Sequence, residues 1–100
     1  MVKRKIIWSA QAKLDLKDIL HFYFKRNGTK TFSNKLNSSI RKSIKLLEEQ
    51  ADIGHQSDNF NIKNIKEGDF NIFYEIKNGT IVILIIWDNR QNLDNLHIKG

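Results

Sequence analysis

Asn78-Gly79 sits between two strand-like apolar runs, and no other dipeptide limits the fold of this chain so strongly. A tight type I′ turn needs positive φ at both central residues, which Asn and Gly tolerate, so Gly68 to Gln91 reads as a β-hairpin. On its first arm Phe70, Ile72, Tyr74 and Ile76 share one face, and Asn71, Phe73, Glu75 and Lys77 share the other. The second arm, Ile81 to Trp87, is apolar on both faces, which places it centrally in a sheet. That arm carries Trp87, Asp88, Asn89, Arg90 and Gln91 to the sheet end, where a working site is expected.

The preceding chain supplies what covers the hairpin. Val2 to Trp8 has charges early and apolar residues late, as a strand entering the core from a wet edge would. Ser9 is placed to cap a helix over about Ala10 to Arg26, with Ala12, Leu16, Ile19, Leu20 and Tyr23 as its buried stripe. Asn27-Gly28 ends it. A second helix, capped by Thr29 or Thr31 and running to about Glu49, buries Phe32, Leu36, Ile40, Ile44 and Leu47. The short connection makes the two helices antiparallel neighbours. Gln50 to Asn59 reads as a loop, and Phe60 to Lys66 as a short strand whose uneven pattern suggests a bulge or register break. The tail from Asn92 to Gly100 is too poor in apolar residues to form an element alone. The expected class is α+β: an N-terminal strand, an antiparallel helical hairpin, then a three-stranded antiparallel meander, all one domain over residues 1–100.

Charge is distributed unevenly along the chain. Residues 1–50 hold twelve basic and four acidic residues, a net of +8, whereas residues 51–100 hold five and seven, a net of −2. The basic first half favours a polyanion or an acidic protein, or else serves as a solvated helix face. With no cysteine there is no disulfide framework or thiolate metal site. The apolar runs are too short for a signal peptide or a membrane span, so a cytoplasmic protein is expected. His21, His55 and His97 share no metal-ligand spacing, and phosphate-loop, dinucleotide, serine-hydrolase and zinc-protease motifs are missing.

Asp88 and Arg90 point the same way at the end of a strand. They either close that end as an ion pair, or Arg90 offers its planar fork to a phosphate with Lys63 and Lys66 alongside. Trp87 and Trp8 read as core or core-edge residues in preference to stacking platforms.

The element order together with IIWSAQAKLDLKDILHFY, ADIG, GDFNIFYEI and IWDNRQN resembles the RelE/ParE toxins of type II toxin–antitoxin modules, also known as plasmid stabilisation proteins. Trp8, Ala12, Asp15, Leu16, Ile19 and Tyr23 carry the family pattern at the front. The resemblance implies two helices on a small, largely antiparallel sheet, no cofactor, and a growth-inhibiting bacterial toxin neutralised by a cognate antitoxin, as a homodimer or a toxin–antitoxin hetero-oligomer. One branch cuts mRNA on the ribosome; here that would use Arg90, with Lys63 and Lys66 in support and His97 or His55 as acid or base. The other blocks DNA gyrase without catalysis, here through the basic helical hairpin that carries Arg41, Lys42 and Lys45. A third reading is a diverged, weakly toxic member kept for antitoxin binding. The cutting branch usually places an arginine where this chain has Asn71, which turns the expectation toward the non-catalytic readings.

Overall fold

A computed structural model describes residues 4–56 and 61–90. In order, the elements are β1 (Lys5–Trp8), α1 (Ala10–Asn27), α2 (Thr31–Leu46), a 3-10 turn (Ala51–Ile53), β2 (His55–Gln56), β3 (Ile62–Glu67), β4 (Phe70–Lys77) and β5 (Thr80–Asp88). The five strands lie in the order β1-β5-β4-β3-β2, with β1 parallel to β5 and every other pair antiparallel. The two helices cover one face, giving the expected α+β architecture.

The hairpin forms as its turn chemistry dictates. Asn78 has φ 51° and Gly79 φ 75°, and Lys77 faces Thr80 across the turn. β5 lies inside the sheet between β1 and β4. Its apolar run on both faces has a further cause: pairing runs Phe73 to Ile85 but Tyr74 to Ile83, leaving Leu84 as an extra residue. The bulge switches side-chain parity. Ile81 and Ile83 face the helices before it, and Ile86 and Asp88 after it. The irregularity is therefore here and not in β3, whose register to β4 is unbroken from Ile62 to Glu67. The uneven β3 pattern arises because Ile62 and Ile65 point to opposite faces of the sheet.

Ser9 both starts α1 and fixes it to the bulge. Its hydroxyl accepts from the Ala12 N–H at 2.9 Å and donates to the Leu84 carbonyl at 2.8 Å, and its N–H donates to the Ile83 carbonyl at 2.9 Å. Ala12, Leu16, Ile19 and Tyr23 are buried, with Leu20 partly so, and the Gly28 N–H closes the helix on the Phe24 carbonyl. Two features of α2 differ from expectation. Its N-cap residue is Lys30, with no side-chain capping bond, so neither Thr29 nor Thr31 caps it. Phe32 is 45% exposed and leans on the Tyr23 ring at 5.2 Å, while Ser33 takes the buried place and donates to the Leu20 carbonyl at 3.0 Å. Close approach of the two helices near their connection leaves room there for a small side chain only. Ile40, Ile44 and Leu47 continue the stripe into the core.

The segment read as a loop after α2 contains the 3-10 turn and β2, which pairs with Asn64 and Lys63 of β3. Tyr74 anchors it. The fully buried phenol donates to the Ala51 carbonyl at 2.6 Å and accepts from the Gly54 N–H at 3.0 Å. A Cβ at position 54 would lie 2.8 Å from the tyrosine ring, so only glycine fits this contact. Among the described residues no helix is long and apolar enough to cross a membrane.

Candidate functional site

The end of β5 and the flank of α1 enclose a groove of about 530 Å³. Because the bulge turns Asp88 toward the helices, its side chain is nearly buried, at 11% exposed. Arg90 closes on it as a fork: Nε donates to Oδ1 at 3.0 Å and Nη2 to Oδ2 at 2.9 Å, while the Arg90 backbone N–H also reaches Oδ1 at 2.9 Å. The guanidinium lies 4.7 Å from the Tyr23 ring centre and 5.8 Å from that of Phe70, and the Tyr23 hydroxyl approaches Asp88 Oδ2 at 3.4 Å. Of the two sequence readings of this pair, the geometry realises the ion pair.

The groove also exposes a strand edge. β1 pairs with β5 only as far as Ile83, so the edge beyond is open. The Asn89 N–H donates to the Asp69 carbonyl at 2.8 Å, and antiparallel ladders alternate, so Ile86 and Asp88 turn their backbone groups away from β4. Asp15 of α1 takes the first of these: its Oδ2 accepts from the Ile86 N–H at 3.0 Å and its Oδ1 from Gln11 Nε2 at 2.7 Å. Burial raises the Asp15 pKa above 3.8, the two hydrogen bonds oppose the rise, and the neighbouring charge of Asp18 adds to it. Phe22, 54% exposed, forms part of the groove wall. Sequence reasoning placed Asp15 in a family pattern without finding this role; the available signal was an acidic residue four positions before Ile19, on the flank of the buried stripe.

On the outer face of the sheet, Asn71 is part of an amide chain across three strands. Asn89 Nδ2 donates to Asn71 Oδ1 at 2.6 Å, Asn71 Nδ2 to Asn64 Oδ1 at 2.8 Å, and Asn64 Nδ2 approaches the His55 carbonyl at 3.4 Å. Trp87 shares this face, buried, with no hydrogen-bond partner for its indole N–H among the described residues.

The model of the family described as "ParE toxin of type II toxin-antitoxin system, parDE" matches residues 6–93. The chain belongs to the ParE toxin family. Among solved structures, one described as "Chromosomal ParDE TA system from P. aeruginosa" matches with a TM-score of 0.72 and 23% identity, over 84% of this chain and 94% of that one. That likeness shows a shared fold. No curated protein matches.

Within this ParE-family fold, the basic residues singled out from sequence do not form one surface. Lys66 lies opposite Asn71 on the outer face, whereas Lys63 lies opposite Tyr74 on the helix side, and β4 separates both from β5. The expected cluster of Lys63, Lys66 and Arg90 is therefore not assembled. On α2, Arg41 stacks at 5.3 Å from the Trp8 ring centre and donates from Nε to Asn37 Oδ1 at 2.9 Å. Lys42 and Lys45 line a separate shallow depression with Leu46, Glu48 and Glu49. His55 is exposed on β2, and His97 lies outside the described residues.

Proposed function

We propose that this ParE-family chain is the toxin of a type II toxin–antitoxin module, that it inhibits growth by a non-catalytic block of DNA gyrase or another large target, and that a cognate antitoxin neutralises it. The observation that carries the non-catalytic reading is the state of the Arg90 side chain. It is held bidentately by Asp88 and stacked on Tyr23, and Asn71 on the neighbouring strand is committed to an amide chain. RNA cleavage by positioned cations needs a guanidinium free to meet the charge that develops on the phosphate, and neither position provides one. The edge of β5 beside α1 supports the antitoxin half of the reading, because an extended segment laid in the groove would meet the outward Ile86 carbonyl and the outward backbone groups of Asp88, the Ile86 N–H being held by Asp15. Target contact is assigned to the helical hairpin, where Arg41, Lys42 and Lys45 are exposed.

The deciding experiment gives the purified full chain two substrates, gyrase with supercoilable DNA and a ribosome translating a defined mRNA. Loss of supercoiling with intact mRNA is expected, unchanged in Arg90→Ala assayed below its melting temperature. Site-specific mRNA cuts that disappear in Arg90→Ala would overturn the reading.

A further inference from the structure

The face of the sheet turned away from the helices carries apolar side chains where a solvated face would be polar. Trp87 and Ile85 of β5, Phe73 of β4 and Ile62 of β3 share it, since Trp87 pairs with Asn71, Ile85 with Phe73 and Ile62 with Glu75. Ile62 is fully buried and Trp87 is 9% exposed, yet the core under the helices, which takes every other buried apolar residue described, includes neither. Ile7, on the same face at the β1 edge, is 44% exposed. The cover over Ile62 and Trp87 therefore lies on β3, β4 and β5 and stops short of β1. These two residues sit two strands and four residues of level apart, about 16 Å. Residues 1–3 lead into β1, on the exposed side. Residues 57–60 are tied at Gln56 and Asn61, and so short a connection, at most about 18 Å long, cannot run out and back over that distance. The ten residues after Arg90, QNLDNLHIKG, start beside Trp87 and extend to about 33 Å. Within them Leu93 and Ile98 stand about 16 Å apart when the chain is extended.

We propose that residues 91–100 lie extended across this outer face as a strap, with Leu93 on Trp87, Leu96 on Phe73 and Ile98 on Ile62. The charges fall in the same order. Lys66 lies opposite Asn71, at the Trp87 end, and Glu75 opposite Ile62, and neither has an ion-pair partner among the described residues. Asp94 follows Leu93 and Lys99 follows Ile98, so each meets its opposite. The Trp87 indole N–H is buried with no acceptor among the described residues, and an extended segment brings backbone carbonyls to it. The burial of Ile62 and Trp87 belongs to a single chain, so no second copy is needed to produce it. Most of the segment lies past residue 93, where the match to the ParE family ends. A strap in this position closes the outer face and leaves the helices and the β5 edge to partners. It stands or falls independently of any action on gyrase.

Trp8→Phe leaves Trp87 as the single tryptophan of the full chain, and acrylamide quenching of its fluorescence reads the cover. Weak quenching is expected in this background. Leu93→Asp/Leu96→Asp should raise it severalfold, because carboxylates cannot stay against an apolar face. Asn92→Asp/Asn95→Asp makes the same charge change at polar positions of the segment and should leave quenching unchanged, with circular dichroism showing both variants folded. Equal quenching in the two variants, or strong quenching already in the background, would overturn the proposal. Should the leucine variant unfold, a second measurement decides. A nitroxide on Lys99→Cys, in a chain with no other cysteine, should broaden the amide signals of Asn64 and Glu75 on the sheet and spare those of Lys17 and Lys45 on the helices. Broadening on the helices, or nowhere, overturns the strap. So does broadening passed to an isotope-labelled copy that carries no nitroxide, which assigns the cover to a second copy. None of these readouts involves gyrase or mRNA, so their failure removes the strap and leaves the toxin reading as it stands.

Discussion

Asp15 Oδ2 accepts the backbone N–H of Ile86 at 3.0 Å, a bond across 71 residues of sequence that joins α1 to the open edge of β5. The carboxylate stands where a neighbouring strand would otherwise supply a carbonyl. It completes the sheet at the point where β1 has ended, and it lines the groove assigned to the antitoxin.

This bond fixes how stability should vary with pH. Burial raises the folded-state pKa of Asp15 above its value in the unfolded chain, so the folded protein holds this proton more tightly. The contribution of Asp15 is therefore most favourable below pH 3.8 and falls as pH rises through the raised folded-state value. Asp15→Asn retains an acceptor for Ile86 and removes the titration. Melting curves of parent and variant across this window should show the parent losing ground to the variant as pH rises; a difference that is flat or of opposite slope refutes the assignment. Asp15→Ala leaves the Ile86 N–H unsatisfied and should cost about 1–3 kcal/mol by denaturant titration.

Ser9 serves helix and sheet together, so its removal should exceed the loss of a simple cap. Ser9→Ala abandons the Ala12 N–H and the Leu84 carbonyl at once. A loss of about 1–2 kcal/mol is expected. Ser9→Thr keeps the hydroxyl and should recover most of it, which equilibrium unfolding of the two variants checks.

Tyr74 offers a test of the segment after α2. Tyr74→Phe keeps the ring in the core but strands the Ala51 carbonyl and the Gly54 N–H, at about 2 kcal/mol or more in total. Gly54→Ala should also destabilise, and should do so even in the Phe background, because the added methyl meets the ring itself. Amide exchange at Gly54 should quicken in Tyr74→Phe while that of β5 slows or speeds only with global stability.

The Asp88–Arg90 pair should contribute modestly, since the Arg90 side chain is 43% exposed and solvent screens it. Asp88→Asn is expected to cost about 1 kcal/mol, with the difference from the parent shrinking in high salt. Arg90→Lys should not rescue function of the fork, because an ammonium cannot make both bonds while stacked on Tyr23. Thermal melts at low and high ionic strength check both statements.

Much of this fold could be read from local chemistry. Asn78-Gly79 set the hairpin, Ser9 and Gly28 bounded α1, and the stripe from Ala12 to Tyr23 faced the core as its spacing required. The exceptions share a cause. Phe32 has the spacing of a core residue and Ser33 does not, yet the serine is buried because hairpin closure decides how much room remains. β2 is two residues long, too short to leave any periodic signal, and exists through pairing with β3.

The candidate site divides in the same way. Sequence alone put an aspartate and an arginine at the end of the last strand and a basic helical hairpin before it, and the family resemblance marked Asn71 as standing where the cutting branch carries arginine. Which face Asp88 takes was decided by Leu84, the extra residue in β5 that reverses the parity of everything after it. No residue pattern announces such a bulge, since an apolar run on both faces reads the same in either register. Only the assembled sheet, with the N-cap Ser9 hydroxyl bonded to the carbonyl of that residue and Asp15 of α1 to the Ile86 N–H beyond it, turns Asp88 and Arg90 onto Tyr23 and leaves the β5 edge without a strand beside the helix.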